Sequence, residues 1–374
     1  MKLLHLADLH LGKRVNGFDL LEDQRYILEQ VLLLCDERGV QAVLLAGDLY
    51  DTAVPPAAAA SLLSWFLTEL ASRGVAVLAI AGNHDSAERL DYAATLLARQ
   101  NVHLAGRFCG APGRVTLHDR FGPVEFTLLP FVRAATVRHY LPDAPITDYD
   151  SAVAAALAAS PSNAPRRVLL AHQTVTGSGC APVRSGSESA PLCIGTVENV
   201  DAARFAGFSY TALGHIHRPQ RAGADTIRYA GSPLCYHLDE CGSEKSAVLI
   251  DLGRKGVEDL QLLPLTPRRR MRHLTGPLAK LTAHPEDTQD YIWATLTDPT
   301  PLPDAMAVLR AAYPNTMRME YLRTAGAVLP QPAEAARRRP FEELFDEFFE
   351  KQNDRPLTNA ERDAVRAMRE EDAP

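Results

Sequence analysis

Five apolar runs in this chain stop abruptly on groups that bind cations or move protons. They read ADLHLG at residues 7–12, AGDLYD at 46–51, AGNHD at 81–85, LAHQ at 170–173 and LGHIH at 213–217. Gly and Asn favour turns and Asp can cap a following helix, so local backbone chemistry accounts for any one of these blocks. It is a poor account of all five together. Asp8 and His10, spaced by two, fall on the same side of an extended strand end, as do His215 and His217. Asp48 follows Gly47, where the backbone can turn sharply and bring a carboxylate inward. With Asn83 and His172 the set holds two carboxylates, four imidazoles and one amide.

That inventory suits a pair of divalent cations. Mixed nitrogen and oxygen donors disfavour Mg²⁺ and Ca²⁺, which prefer oxygen shells, and suit Mn²⁺, Fe²⁺ or Zn²⁺. Two such ions, roughly 3.5–4 Å apart, would acidify a water and clamp both sides of an in-line displacement at phosphorus. Phosphoester hydrolysis is the matching chemistry. Asp48, central in the order of the blocks, is the candidate bridge between the ions.

Such a site needs strands whose ends share one rim of an α/β sheet. The runs KLLHLA, AVLLAG, VAVLAIAG, VEFTLLP, RRVLLAH, YTALGHI, IRYAG and SAVLIDL predict those strands. Helices are predicted over DLLEDQRYILEQVLLLCDERG, closed by Gly39, and PPAAAASLLSWFLTELASRG, closed by Gly74. A third covers SAERLDYAATLLARQ, with Ser86 and Glu88 at its start. Early alternation and a later strand-rich stretch predict a layered α/β fold. A boundary falls at LPLTPRRR, residues 263–270. Beyond it, DYIWATLTD and TMRMEYLR alternate as strands around a helical PDAMAVLRAAYPN, a small α/β domain. AVLPQPAEAARRR reads as a linker. PFEELFDEFFEKQ then puts Phe341, Leu344, Phe345, Phe348 and Phe349 on one helical face, and Thr358 with Glu361 forms a capping box.

The 374 residues carry a net charge of −7, which counts mildly against a nucleic-acid partner. An acidic metal site contributes to that charge, and basic residues cluster at Arg166–Arg167, Arg268–Arg270 and Arg337–Arg339. The six cysteines form no C-x-x-C pair, which argues against zinc knuckles and a disulfide framework. No run is long and apolar enough to span a membrane, and MKLLHLADLH is broken by His5, Asp8 and His10 before a signal-peptide core can form. A cytoplasmic location is expected.

The five blocks, in this order, resemble the calcineurin-like metallophosphoesterases. With AHQTVTGSG, GHIHRPQ, RYAGSP and DECGSEKSAVLIDL they are similar, over most of the chain, to the SbcD family of nuclease subunits within that superfamily. The resemblance implies a two-layer β-sandwich flanked by helices over residues 1–262, a DNA-capping domain at 268–325 and a helical partner-binding segment at 335–374. It implies Asp8, His10, Asp48 and His217 as ligands of one ion, and Asp48, Asn83, His172 and His215 as ligands of the other. The activity implied is manganese-dependent cleavage of DNA, as a 3′-to-5′ exonuclease on duplex ends and an endonuclease on hairpins, in repair and recombination. The implied partner is SbcC, an ATPase with a long coiled coil, joined to a nuclease homodimer in a heterotetramer.

By the same resemblance His84 handles the phosphate and protonates the leaving oxygen, a role worth about 10²–10⁴ in rate. Asp51 matches the position that pairs with this histidine. Asp85 is the adjacent rival, its other use being to cap the helix starting near Ser86. Superfamily protein phosphatases carry an arginine just after the second Asp of the GDxxD block. Here that residue is Thr52, which favours a diester. A phosphodiesterase for small nucleotides would not need the residues after the metal domain, and the intact ligand set argues against a scaffold with a dead site.

Overall fold

The computed structural model describes residues 1–177, 180–188, 199–322, 349, 355–359 and 361–362. Among these, each apolar run ahead of a polar block forms a strand. β1 (Lys2–Leu6), β2 (Ala42–Ala46), β3 (Ala76–Ile80) and β4 (Val102–Ala105) run parallel. Helices α1 (Leu21–Arg38) and α2 (Ala57–Ser72) cross between the first three. α1 ends at Gly39, whose φ of 63° provides the left-handed turn that closes the helix. The helix predicted from residue 86 is instead broken: α3 (Ala87–Asp91) stops, Ala93 turns left-handed at φ 59°, and α4 (Ala94–Leu97) restarts.

A second six-stranded sheet follows, built from β5 (Gly113–Asp119), β6 (Gly122–Leu129), β7 (Arg167–His172), β8 (Tyr210–Gly214), β9 (Gln220–Ala222) and β10 (Ala224–Tyr229). Its order is β9-β10-β8-β7-β6-β5, and α5 (Ala134–Tyr140) and α6 (Tyr149–Ala158) lie between β6 and β7 in the chain. β11 (Lys245–Leu252) and β12 (Val257–Leu265) return antiparallel beside β1, so the first sheet reads β12-β11-β1-β2-β3-β4.

The strands are apolar on both faces because both faces are covered. Leu3, Leu44, Leu78, Phe126, Leu170 and Ala212 meet between the sheets. Alternate residues point the other way: Leu4, Val43 and Val77 pack with Ile27 and Phe66 of α1 and α2. Leu169 and Leu213 pack with Val137 and Val153 of α5 and α6. The chain is thus an α/β protein, two stacked sheets flanked by helices.

Three more parallel strands, β13 (Met271–Gly276), β14 (Tyr291–Leu296) and β15 (Thr316–Tyr321), form a small sheet. Helices α7 (Leu278–Ala283) and α8 (Ala305–Ala312) close its apolar face over Ile292, Ala294 and Leu296. Met1–Tyr321 form one compact unit that includes this sheet. Arg269 Nη1 pairs with Asp23 of α1 at 3.0 Å, Tyr291 donates its hydroxyl to the same carboxylate at 2.7 Å, and Arg268 pairs with Glu22 at 3.2 Å. Two basic residues of the 268–270 cluster are thereby used to stitch the sheet to α1. Arg166 is likewise buried, pairing with Asp119 at 2.7 Å.

The second unit is Leu322–Pro374. Its expected capping box is present: Thr358 N–H donates to Glu361 Oε2 at 2.9 Å, and Glu361 N–H donates to Thr358 Oγ1 at 3.4 Å. Phe341, Leu344, Phe345 and Phe348, with the linker and Arg337–Arg339, lie outside the described residues. Among the described residues no helix is long and apolar enough to cross a membrane.

Candidate metal centre

The polar blocks all follow the C-terminal ends of parallel strands, on one rim of the two sheets. Asp8 and His10 follow β1, Asp48 follows β2, Asn83 and His84 follow β3, His172 ends β7, and His215 and His217 follow β8. Turning each chain inward requires unusual backbone. Asp8, His10, Asp48 and His215 take positive φ, at 54°, 45°, 50° and 92°. Each such residue costs on the order of 1–3 kcal/mol, and such strain gathers at functional sites.

Three overlapping donor groups result, with ligand atoms inside each group within 4.8 Å of one another: Asp8, His10 and His217; Asp8, Asp48 and His172; His10, Asp48 and His84. The Asp48 Oδ2 atom lies 3.3 Å from His172 Nε2 and 3.6 Å from His10 Nε2, so one carboxylate oxygen faces both sides of the site. Asn83 Oδ1 lies 3.2 Å from His172 Nε2 and 2.9 Å from His215 Nδ1. All seven predicted ligands therefore converge.

Hydrogen bonds to the backbone aim these side chains. His172 Nδ1 faces the Ala46 carbonyl at 2.7 Å; a carbonyl only accepts, so Nδ1 carries a proton and Nε2 points at Asp48. Asp8 Oδ1 accepts His215 N–H at 2.9 Å, and Asp48 Oδ1 accepts His84 N–H at 2.9 Å. Burial pulls His172 toward the neutral form, but the charge and hydrogen bond of Asp48 overcome it and lift its pKa to about 9. His215 moves the other way, to about 3, through burial and the neighbouring His172. Burial also lowers His10.

The donors fit a bound cation pair. Asp8 Oδ2 is buried with no hydrogen-bond partner. His10 Nε2 and His217 Nε2 approach to 3.2 Å, an arrangement a shared cation would satisfy. The rim also leaves no room for larger residues behind the ligands. A β-carbon on Gly47, at φ 91°, would fall 2.2 Å from His172 Nδ1, and one on Gly82 would fall 2.1 Å from Asp48 Oδ1.

His84 sits beside these donors with its ring edge-on to His10 at 4.7 Å. It does meet Asp51, but through the main chain: Nδ1 donates to the Asp51 carbonyl at 2.8 Å. The Asp51 carboxylate turns instead to Lys13 Nζ at 2.7 Å and His10 Nδ1 at 3.3 Å. Burial raises that carboxyl, but the nearby His10 and the hydrogen bond from Lys13 outweigh it and hold its pKa at about 2. Asp85 has neither expected role. Ser86 caps α3, accepting Arg89 N–H at 3.4 Å. Asp85 accepts Gly82 N–H at 2.9 Å, Leu49 N–H at 3.1 Å and Tyr50 N–H at 2.9 Å, tying the turn after β2 to the turn after β3.

Sequence reasoning missed the support behind the ligands. Gln24 Nε2 donates to the His10 carbonyl at 2.7 Å, and Glu188 Oε1 accepts His217 N–H at 2.8 Å. Neither belongs to a polar block, and each partner is distant in sequence, so spacing carries no signal for them.

The fold and donor set are those of a metal-dependent phosphoesterase, and comparison with known proteins agrees. The profile of the calcineurin-like phosphoesterases matches residues 1–219. The profile of the type 5 capsule protein repressor C-terminal domain, SbcD_C, matches residues 267–353. SbcD of Staphylococcus epidermidis, a subunit of the SbcCD nuclease, is 31% identical over 326 residues, covering 85% of each chain. The chain belongs to the calcineurin-like phosphoesterases and, within them, to the SbcD family of nuclease subunits. Among solved structures, a dimetal phosphatase from Danio rerio aligns at 14% identity and TM-score 0.38, over 71% of this chain and 99% of that one. The phosphoesterase Yfce from E. coli aligns at 16% identity and TM-score 0.29, over 70% of this chain and 100% of that one.

Proposed function

We propose that this chain is the nuclease subunit of an SbcCD-type complex, a Mn²⁺-dependent phosphodiesterase acting on DNA. Its activities are 3′-to-5′ exonuclease on duplex ends and endonuclease on hairpins. The observation that carries this reading is the Asp48 carboxylate facing two sets of donors at once. Asp8, His10, Asp48 and His217 would hold one ion, and Asp48, Asn83, His172 and His215 would hold the other. The nitrogen-rich donor set favours Mn²⁺ over Mg²⁺. A bound pair of divalent ions supplies charge neutralisation at the phosphoryl group and an acidified water.

The protein's own groups supply the rest. His84 keeps Nδ1 on the Asp51 carbonyl, which fixes the ring and leaves Nε2 to protonate the departing sugar oxygen. Asp51 orients His10 and Lys13 with its carboxylate and His84 with its carbonyl. Residues 1–262 form the nuclease module, 268–325 the DNA-capping module and 335–374 the segment that docks on the coiled-coil ATPase SbcC. The working state is a nuclease homodimer within a heterotetramer, in the cytoplasm.

The test is cleavage of an end-labelled duplex and a hairpin by purified protein, with Mn²⁺, with Mg²⁺ and with EDTA. A small chromogenic diester runs beside them. Cleavage of DNA ends that needs Mn²⁺ and stops in EDTA is the expected result. Full cleavage in EDTA would refute the metal reading. Turnover of the small diester with none of DNA would favour a different phosphodiesterase of the superfamily.

A further inference from the structure

His217 is backed by a buried polar chain that none of the metal-binding blocks contains. Its Nδ1 lies 2.7 Å from Ser187 Oγ, and Ser187 Oγ lies 2.5 Å from Glu240 Oε1. Glu240 is fully buried, and its other oxygen, Oε2, lies 2.5 Å from Lys245 Nζ. Lys245 also donates to Ser232 Oγ at 2.8 Å and to the His217 carbonyl at 3.1 Å.

The protons on this chain can be placed by counting donors. A serine hydroxyl has one proton, and an ionised carboxylate has none. Lys245 occupies Oε2, so Oε1 is the atom that faces Ser187. Were the Ser187 proton directed at His217, Ser187 Oγ and Glu240 Oε1 would face each other without a proton between them. Ser185 Oγ also lies 2.6 Å from Ser187 Oγ and 3.1 Å from Glu240 Oε1, but its proton can go to either atom without filling the 2.5 Å gap between them, so the Ser187 proton lies toward Glu240. Ser187 Oγ then accepts from His217 Nδ1–H, and the lone pair of His217 is left on Nε2. That atom faces His10 Nε2 at 3.2 Å, inside the donor group with Asp8. The nitrogen that carries the proton is set by the partner of the other nitrogen.

We infer that Ser187 and Glu240, anchored by Lys245, are positioning residues that select the metal-facing tautomer of His217 and so govern occupancy of one ion position of the two. The inference rests on the ligand assignment above, with Asp8, His10 and His217 on one ion. His172 provides an internal control. Its tautomer is set by the Ala46 carbonyl, a backbone group that the Ser187–Glu240 chain does not touch.

Glu240→Gln should reverse the proton order. The side-chain oxygen would turn to Lys245, and the amide N–H would donate to Ser187. Ser187 would then donate to His217 Nδ1 and place the proton on Nε2. Ser187→Ala removes the relay from a half-buried position and leaves the Glu240–Lys245 pair intact.

The experiment measures Mn²⁺ binding to wild type and both variants by titration followed with EPR, with a thermal melt of each. Histidine-selective ¹⁵N NMR of the metal-free proteins reports the tautomer of His217. In wild type we expect two ions with the signature of a coupled pair, and His217 protonated on Nδ1. In each variant one ion should weaken by about 10–100-fold while the other keeps its affinity, leaving the six-line signal of an isolated Mn²⁺. In Glu240→Gln the NMR signature of His217 should switch nitrogen. If Glu240→Gln fails to fold, Ser187→Ala decides the question by the same titration. Both ions bound within twofold of wild type in a folded Ser187→Ala would overturn the inference, as would equal loss of both ions. A wild type that binds no Mn²⁺ would instead sink the ligand assignment, and the inference with it.

Discussion

Asp85 offers the sharpest quantitative test of how the rim is built. Its carboxylate accepts three backbone N–H groups, from Gly82, Leu49 and Tyr50, at 2.9, 3.1 and 2.9 Å. These residues flank Asn83 and Asp48. A hydrogen bond to a charged acceptor contributes about 1.5–3 kcal/mol net. The carboxyl is only part-buried, so the low end of that range applies. Burial and the charge of Asp48 oppose these bonds and raise the Asp85 pKa to about 6, so Asp85→Ala should cost less than their sum, about 2–4 kcal/mol. Asp85→Asn should cost less. Its amide oxygen can replace Oδ2 and keep the Leu49 and Gly82 bonds, while its NH₂ meets Tyr50 N–H donor to donor. One bond is lost, about 1.5 kcal/mol. Urea denaturation of the chelator-treated proteins measures both values. At about 1.5 °C per kcal/mol for a unit of this size, the melting temperature of Asp85→Ala should fall by roughly 3–6 °C. Mn²⁺ affinity should fall with it, because two ligand turns lose their shared anchor. An Asp85→Ala cost below about 1 kcal/mol, or a larger cost for Asn than for Ala, would refute the reasoning.

Other outcomes follow from the same geometry. His84→Gln should keep both metals but slow the chemical step by about 10²–10⁴, with a smaller loss on a nitrophenyl ester whose leaving group needs no proton; an equal loss on both substrates would contradict the leaving-group role. Asp51→Asn should preserve that leaving-group selectivity, because His84 uses the Asp51 carbonyl, and its effect should appear instead in the affinity of the ion assigned above to His10. Gly82→Ala would place a β-carbon 2.1 Å from Asp48 Oδ1, so metal analysis should find fewer than two ions per chain. Asp119→Ala leaves Arg166 buried and unpaired and should destabilise the fold by about 3–5 kcal/mol. Arg166 holds the Asp119 carboxyl well below the usual carboxylate range. The pair's contribution is therefore fully present above the unfolded carboxylate value near 4 and is lost as pH falls through the folded one. Other carboxylates such as Asp51 are also held low, so urea midpoints taken across pH should show a smaller acid-side loss in Asp119→Ala than in wild type.

What the sequence by itself determined is much of what depends on neighbours along the chain. Apolar runs of strand length, each ending in Asp, His or Asn, placed seven candidate ligands at strand ends. In a layered α/β fold those ends share a rim. The sharp turn at Gly47–Asp48 was legible with its ligand, but those at Asp8, His10 and His215 were not: their spacing suggested extended strand ends, whereas the backbone turns left-handed just after each strand. The Thr358–Glu361 capping box, also a local pattern, formed as read. Clustering along the chain did not show what the arginines do: Arg166 is buried on Asp119 and Arg269 reaches Asp23, while Arg268 stays half exposed beside Glu22.

Only the tertiary structure decided how each supporting polar group is spent. A carboxylate turns toward whichever N–H groups and cations surround it, and these arrive from segments far away in the chain. Asp85 could not be seen to hold the turn after β2, 35 residues earlier. Nor could Asp51 be seen to offer His84 a carbonyl and Lys13 a carboxylate. The chain from His217 through Ser187 to Glu240 spans 30 and 53 residues in its two steps, and no spacing rule connects residues brought together by packing alone.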